Sequence, residues 1–306
     1  MTLMNGADRY VVVSPVKDEA AFVGLTIESI CRQTVRPSRW VIVDDGSTDG
    51  TREILERSAA AHPWIRILRL DSSTPRETGS RVIRNFQTGY ASLSNEAFDF
   101  VVKLDCDLEI PPDYFERLLR RFRDEPKLGI ASGIYLEQRD GQWVPREMPP
   151  YHTAGAMKML RAECYREIGG FVAAPGWDAV DEIKALVRGW TTRHFTDLRV
   201  LHLKDEGSGV GFRRMSRMSG EIHYLTGGGA VFFFVKALHR LLFGRPLVVG
   251  SLAMISGYLG CLIRRPQKLV NTEEARYYRK MLNRRMFGDL IHLRAPKTRD
   301  GGARYA

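Results

Sequence analysis

The chain has 306 residues and an apolar content of 44%, enough for one large α/β domain or a domain with an appendage, which argues against global disorder. Its net charge of +10 is unevenly spread: residues 207–306 hold 18 Lys and Arg against 5 Asp and Glu, a net of +13, so the front is mildly acidic. That asymmetry predicts an anionic partner for the back third. Cys31, Cys106, Cys164 and Cys261 lie far apart without a C-x-x-C pair, which speaks against a disulfide scaffold or a structural zinc site and fits a reducing compartment. Residues 1–9 carry no signal-peptide pattern, so the bulk of the chain is expected to stay where it is made.

In chain order, Tyr10–Ser14 reads as a buried strand, Ala20–Arg32 as a helix and Trp40–Asp44 as a second strand. Thr48–Ala61 follows as a helix with a Ser/Thr/Asp-rich start, then a strand over Ile65–Leu70 and a helix over Gly79–Ser94. Phe98–Leu104 is the fourth strand, Pro112–Asp124 a helix with proline in its first turn, and Leu128–Tyr135 another strand. This βαβα rhythm predicts an α/β fold: a mainly parallel, Rossmann-like sheet with helices on both faces. Leu136–Ala154 is looser, rich in Pro, Gly and charge. Short helices near Arg161–Ile168 and Asp178–Arg188 flank a Gly-Gly break, and Leu198–Leu203 is the last strand. Beyond Glu206 the texture becomes helix after helix of basic residues and apolar blocks. The expected domains are therefore 1–206 and 207–306, with a boundary near Gly207–Gly211.

Three strand ends carry acids on one sheet edge: Lys17-Asp18-Glu19, Asp44-Asp45 and Asp105-Cys106-Asp107. In an extended chain Asp105 and Asp107, at i and i+2, face one spot just past the strand, the end at which open α/β sheets bind ligands. Two hard oxygen ligands there suit Mg²⁺ or Mn²⁺ together with substrate phosphates. Carboxylates also accept hydrogen bonds from ribose hydroxyls and base N–H groups. Asp44, Asp45, Ser47 or Thr48 can equally cap the following helix.

The segments SPVKDEA, QTVRPSRWVIVDDGSTDGT and VVKLDCDLEIPPDYFERLL, in this order and spacing, resemble the front half of family 2 glycosyltransferases of the GT-A fold, over roughly residues 8–206. The resemblance implies an inverting transfer of a sugar from a nucleotide-diphosphate sugar to an acceptor hydroxyl. It implies that Pro15, Glu19 and either Asp44 or Asp45 surround the nucleoside, and that Asp105 and Asp107 are the metal- and diphosphate-binding D-x-D. The family often has Asn-Glu where this chain has Asp18-Glu19; Asp keeps the acceptor role but lacks the amide donor.

Inverting transfer needs a base for the acceptor proton and neutralisation of the departing diphosphate. The family's base is an acid opening a helix that closes on Gly-aromatic, matched by Gly176–Ala185 and Gly189-Trp190. Asp178 keeps the family's distance to that glycine, while Asp181 begins an Asp-Glu pair. Both stand as candidates, and Asp178 can also be merely a helix cap. Gly155-Ala156 resembles the family's small-residue floor under the donor sugar. His202, after the last strand, matches a third metal ligand found in many relatives. Arg213 and Arg214, past a Gly-Ser-Gly run, can close over the diphosphate or simply belong to a basic helix.

In the back third, Gly229–Phe243 is strongly apolar, with Lys236, His239 and Arg240 on one narrow face. Leu247–Ile263 is an uncharged run of 17 residues flanked by Arg245 and Arg264-Arg265. At about 1.5 Å per residue it just reaches across a thin hydrocarbon core. The expectation is a cytoplasmic enzyme, peripheral or monotopic at the inner membrane face, on an anionic lipid surface, acting on a lipid-linked or cell-surface glycan. Nucleic acid is not an expected partner, because the charges flank apolar blocks instead of interleaving with them. Transfer to a polyprenyl phosphate, a catalytically silent sugar-nucleotide-binding module, and a buried helical hairpin in place of a membrane face are the alternatives.

Overall fold

The structure, a computed structural model, describes residues 8–71, 80–204, 211–243 and 247–292. The chain divides into two compact units, Met1–Met215 and Ser216–Ala306. Most of the expected boundary segment, together with Gly79 and Arg245, lies outside the described residues.

The first unit opens with β1 (Tyr10–Val16), α1 (Val23–Cys31), β2 (Arg39–Asp44), α2 (Thr51–Ala61), β3 (Ile65–Arg69), α3 (Ser80–Ala91) and β4 (Phe100–Leu104). It continues through β5 (Leu108–Glu109), α4 (Tyr114–Asp124), β6 (Leu128–Arg139), β7 (Gln142–Pro145), β8 (Met157–Arg161), α5 (Ala162–Glu167), α6 (Trp177–Val187) and β9 (Thr191–His202). One mixed sheet of nine strands runs β3-β2-β1-β4-β8-β6-β9-β5, with β7 hairpinned onto β6. β3, β2, β1 and β4 are mutually parallel, as are β6 and β9; β8 is antiparallel to both of its neighbours.

Strand alternation divides the core into two layers. Val12, Ile42 and Val102 point to one face and pack with Ile27 and Ile30 of α1, Leu55 of α2 and Phe115 of α4. Val11, Val13, Val41 and Val43 point to the other, against Ile83 and Phe86 of α3 and Tyr165 of α5. Every residue of β1 is buried, as befits a central parallel strand covered on both faces. The loose 136–154 segment differs from expectation: its start extends β6 and returns as β7, turning at Asp140-Gly141 with both residues at positive φ. β8 is a further strand, and β9 starts at Thr191, seven residues before the expected Leu198. Both carry polar residues amid apolar ones, so neither shows the apolar run of the front strands.

A buried ion cluster fastens α6 to the sheet. Lys158 of β8 has no exposed side-chain surface, and its ammonium lies 2.9 and 3.0 Å from the Asp181 oxygens and 3.3 Å from Glu182 Oε1. It also donates to the Asp178 carbonyl at 2.8 Å. Burial opposes the Lys158 charge, but Asp181, Glu182 and Asp178 outweigh it and hold its pKa above the ordinary lysine value.

The second unit takes in most of α7 (Phe212–Leu225), with α8 (Ala230–Phe243), α9 (Leu247–Arg264) and α10 (Thr272–His292). One buried cluster holds Phe233, Ala237, Met254 and Tyr258, with the Phe233 and Tyr258 rings stacked 4.1 Å apart. α7 and α9 touch backbone to backbone. A Cβ on Gly220 would come within 1.9 Å of the Met254 carbonyl oxygen, and one on Gly257 within 2.1 Å of the Arg217 carbonyl oxygen.

Two stability outcomes follow from these contacts. At Gly133, where β6 shifts register against β9, a Cβ would stand 2.1 Å from the Leu198 carbonyl oxygen. Gly133→Ala therefore lowers the unfolding free energy by about 1–3 kcal/mol, as overpacking does, and is read as a lower urea midpoint. Lys158→Met leaves the buried Asp181 without its counter-ion, while Glu182 keeps His152 and Thr153, and costs about 3–5 kcal/mol. A Lys158→Met midpoint equal to wild type would show that the cluster is not what holds α6.

Candidate functional site

The ends of β1, β2 and β4 meet at one edge because parallel strands in register end together. Val16 pairs with Asp44, and the Asp45 N–H donates to the Val16 carbonyl at 2.9 Å. Asp44 is buried and accepts the Ser47 N–H at 3.0 Å; Asp45 is buried and receives both arms of Arg81, at 2.5 and 2.9 Å. Neither caps α2, whose N-cap is Gly50. Asp18 sits in the left-handed region at φ 52° and ties the two loops together, accepting from Thr48 N at 2.8 Å while its own N–H donates to Ser47 Oγ. Pro15 lies inside β1, and Glu19, also buried, pairs with the Lys204 ammonium at 2.8 Å.

β5 explains how His202 reaches the D-x-D. Leu108 pairs with His202, and the Leu203 N–H donates to the Asp107 carbonyl at 2.9 Å, so the end of β9 lies along the D-x-D segment. His202 Nε2 stands 3.5 Å from Asp107 Oδ2. Burial works against the charge on Asp107, but His202, Lys103 and Lys204 outweigh it and hold its pKa below the usual carboxylate value. Asp105 is paired with the Lys103 ammonium at 2.5 Å.

Asp107 Oδ1 and His202 Nδ1 are both buried without a hydrogen-bond partner among the described residues. Unpartnered ligand atoms of this kind, on a carboxylate and an imidazole beside a second carboxylate, fit a divalent ion such as Mn²⁺ or Mg²⁺. Among the described residues no three such side chains stand together as a ready-made chelate. Asp105 and Asp107 can offer such an ion one or two carboxylates, the number that Mg²⁺ commonly takes alongside substrate phosphates.

Gly155 and Ala156 bridge this edge to α6. The Asp105 N–H donates to the Ala156 carbonyl at 2.8 Å. A Cβ placed on Gly155 would lie 3.4 Å from the Trp177 ring and 3.7 Å from Asp178 Oδ2. Trp177 in turn lies under two ammoniums, Lys158 at 5.2 Å and Lys103 at 5.4 Å from its ring centre. Burial pushes the Tyr135 hydroxyl up to about 12, against Arg146 and with help from the charges of Glu137, Asp178 and Asp105.

The two candidate bases are placed very differently. Asp178 is the second residue of α6, whose N-cap is Gly176, and its side chain is 37% exposed. Asp181 is fully buried against Lys158. One ammonium cannot neutralise two buried carboxylates, so the pair splits. Burial and neighbouring Glu182 push Asp181 up to about 7 in spite of Lys158, whereas Glu182 overcomes its burial through Lys158, His152 and Thr153 and falls to about 2. Arg213 is exposed in the first turn of α7, and the Gly-Ser-Gly run before it lies outside the described residues.

Sequence reading did not single out Lys103, His152, Lys158 and Lys204. The available signal was a lysine inside each of two apolar strand-like runs, VVKLD and MKML, since a lysine there is buried only when paired.

The glycosyl transferase family 2 model matches residues 11–174. Succinoglycan biosynthesis protein ExoA of Rhizobium meliloti (strain 1021) is 27% identical over 188 residues, 52% of this chain and 52% of that protein. Undecaprenyl-phosphate 4-deoxy-4-formamido-L-arabinose transferase of Pectobacterium carotovorum subsp. carotovorum (strain PC1) is 32% identical over 111 residues, 35% of this chain and 32% of that protein. The chain thus spans about half the length, or less, of these two curated relatives. Among solved structures, the mannosyltransferase PcManGT from Pyrobaculum calidifontis, in complex with GDP-Man and Mn²⁺, superposes with a TM-score of 0.53 at 16% identity, over 94% of this chain and 81% of that one. That likeness is one of fold, and it agrees with the expected GT-A architecture. The family match runs from β1 to just before α6 and takes in the acidic strand ends and the Gly155-Ala156 bridge; the chain belongs to glycosyl transferase family 2.

Proposed function

We propose that the first unit transfers a sugar, with inversion, from a nucleotide-diphosphate sugar to an acceptor hydroxyl, and that Asp178 is the general base. The observation that carries this reading is the Gly155-Ala156 bridge. It joins the D-x-D backbone on one side to the Asp178 carboxylate on the other, with no side chain at Gly155 to fill the space between. Asp178 is the candidate with an accessible carboxylate, while Asp181 serves Lys158. In the transfer, the acceptor oxygen bonds the anomeric carbon as its proton passes to Asp178. The bond from that carbon to the diphosphate breaks, and the nucleoside diphosphate leaves with the electron pair. A divalent ion taking one or both of the Asp105 and Asp107 carboxylates, with His202 beside them, would neutralise charge on that leaving group. Glu19 with Asp44 or Asp45 faces the nucleoside from the β1 and β2 ends, and Arg213 is the reserve cation for the diphosphate.

Asp178→Asn is expected to lower turnover about 10²–10⁴-fold with donor affinity nearly unchanged, the usual worth of a base. Asp107→Ala is expected to abolish both activity and Mn²⁺-dependent nucleotide binding, read by thermal shift. Normal turnover in Asp178→Asn would remove the base assignment. It would favour a phosphate acceptor, which needs little base assistance; the similarity to an undecaprenyl-phosphate transferase makes that the second reading.

We also propose that the second unit rests on an anionic membrane and that the acceptor is lipid-linked. No helix among the described residues is long and apolar enough to cross a membrane. Instead, α8 presents an apolar stripe at i, i+4, i+7 and i+11, from Val231 (65% exposed) through Val235 and Leu238 to Leu242 (60%). α9 presents Val249, Leu252, Leu259 and Ile263 (82% exposed). Apolar stripes beside Lys236, Arg264 and Arg265 suit interfacial helices, and each basic residue near the surface adds about 1 kcal/mol of attraction to anionic lipid. The protein is expected to float with anionic but not zwitterionic liposomes, and Leu238→Asp with Leu252→Asp to release it without lowering its melting temperature. Equal flotation of that double variant would exclude these stripes as the contact.

A further inference from the structure

The segment before the Gly155-Ala156 bridge is held from three elements. Thr192 Oγ1 of β9 donates to the Tyr151 carbonyl at 2.6 Å, and His194 Nδ1 lies 2.8 Å from the His152 carbonyl. Ser132 Oγ of β6 accepts the Ala154 N–H at 2.8 Å, and Glu182 Oε1 of α6 accepts both the N–H and the hydroxyl of Thr153 at 2.7 Å. So clamped, His152 stands with Nδ1 2.9 Å from Glu182 Oε2 and Nε2 4.0 Å from Asp178 Oδ2. Glu182 is buried and remains a carboxylate, so the Nδ1 proton belongs to the histidine and points at Glu182. The other ring nitrogen is thereby turned toward Asp178.

We propose that His152 is a positioning residue for the base: held by Glu182, its imidazolium pins one oxygen of Asp178 and leaves the other turned to the acceptor hydroxyl. The proposal rests on Asp178 being the base. The charged groups facing the ring are Glu182 and Asp178 from α6 and Lys158 from β8, with His194 of β9 at its carbonyl. Burial disfavours the imidazolium, and Lys158 repels it, but Glu182 and Asp178 outweigh both and hold its pKa above the ordinary histidine value. The charged form is therefore complete below the ordinary value and is lost only as pH rises through the raised one. Loss of that proton unpins Asp178, so kcat falls on the alkaline side.

Two measurements on the full chain test this. The His152 ring titration, assigned by its loss in His152→Asn and followed by NMR, should move to lower pH in Asp178→Asn, because one facing carboxylate has become neutral. In His152→Asn the kcat for turnover of the nucleotide-sugar donor should fall about 10–100-fold, the scale of a misplaced reacting group. Its donor KM should stay within about 2-fold and its alkaline limb should disappear. A His152 titration unmoved by Asp178→Asn overturns the pairing, and so does a wild-type alkaline limb in His152→Asn. Should His152→Asn melt early, His152→Gln takes its place in the kinetics. The two readings fail separately. Wild-type turnover in Asp178→Asn removes the base, whereas an inactive Asp178→Asn with an unmoved His152 titration keeps the base and removes the pin.

Discussion

A single buried ammonium sets the geometry of the site. Lys158 stands in register with Lys103 across the β4–β8 pair, so the two cations are carried side by side on neighbouring strands. Lys103 turns to Asp105 and Lys158 to Asp181 and Glu182, with the Trp177 ring within reach of both. Taking such charges out of water costs several kcal/mol per ion, a cost offset only by well-made partners. The first turns of α6 have therefore little freedom to shift relative to β8. Asp178, one turn before Asp181, inherits that fixed position although its own carboxylate stays at the surface.

The same logic recurs along the strand ends. Arg81 holds Asp45, Lys204 holds Glu19 and Lys103 holds Asp105. Without these partners the acids would repel one another at the sheet edge, where like charges a few ångströms apart in a poorly solvated site interact far more strongly than in water. The lysines also make the edge less anionic than its acid count suggests, which suits a site for a diphosphate.

The second unit is built on a different principle. Two glycines let α7 and α9 meet through their backbones. The apolar residues of α8 and α9 that do not pack inward lie on the outside. Scattered apolar surface is ordinary, but rows of exposed apolar residues on two successive helices are not.

Much of this was legible in the chain. Apolar runs separated by amphipathic segments determine the parallel half of the sheet, because a strand covered on both faces must be apolar throughout, and the acids at the strand ends follow from where those runs stop. The pairing of His202 with Asp107 was readable only as a resemblance, since it depends on β5 and β9 lying side by side. Choosing between Asp178 and Asp181 was beyond the sequence. Both open the same helix with the same side-chain chemistry, and what separates them is a lysine some twenty residues away that pairs with the carboxylate of Asp181 but only with the backbone carbonyl of Asp178. β8 and the start of β9 were hidden for the same reason: their polar residues look like surface until the partners that bury them are known. Local patterning carries which segments form and which face is apolar. Which charge meets which is a long-range matter, and burial energetics decide it only once the strands have been placed.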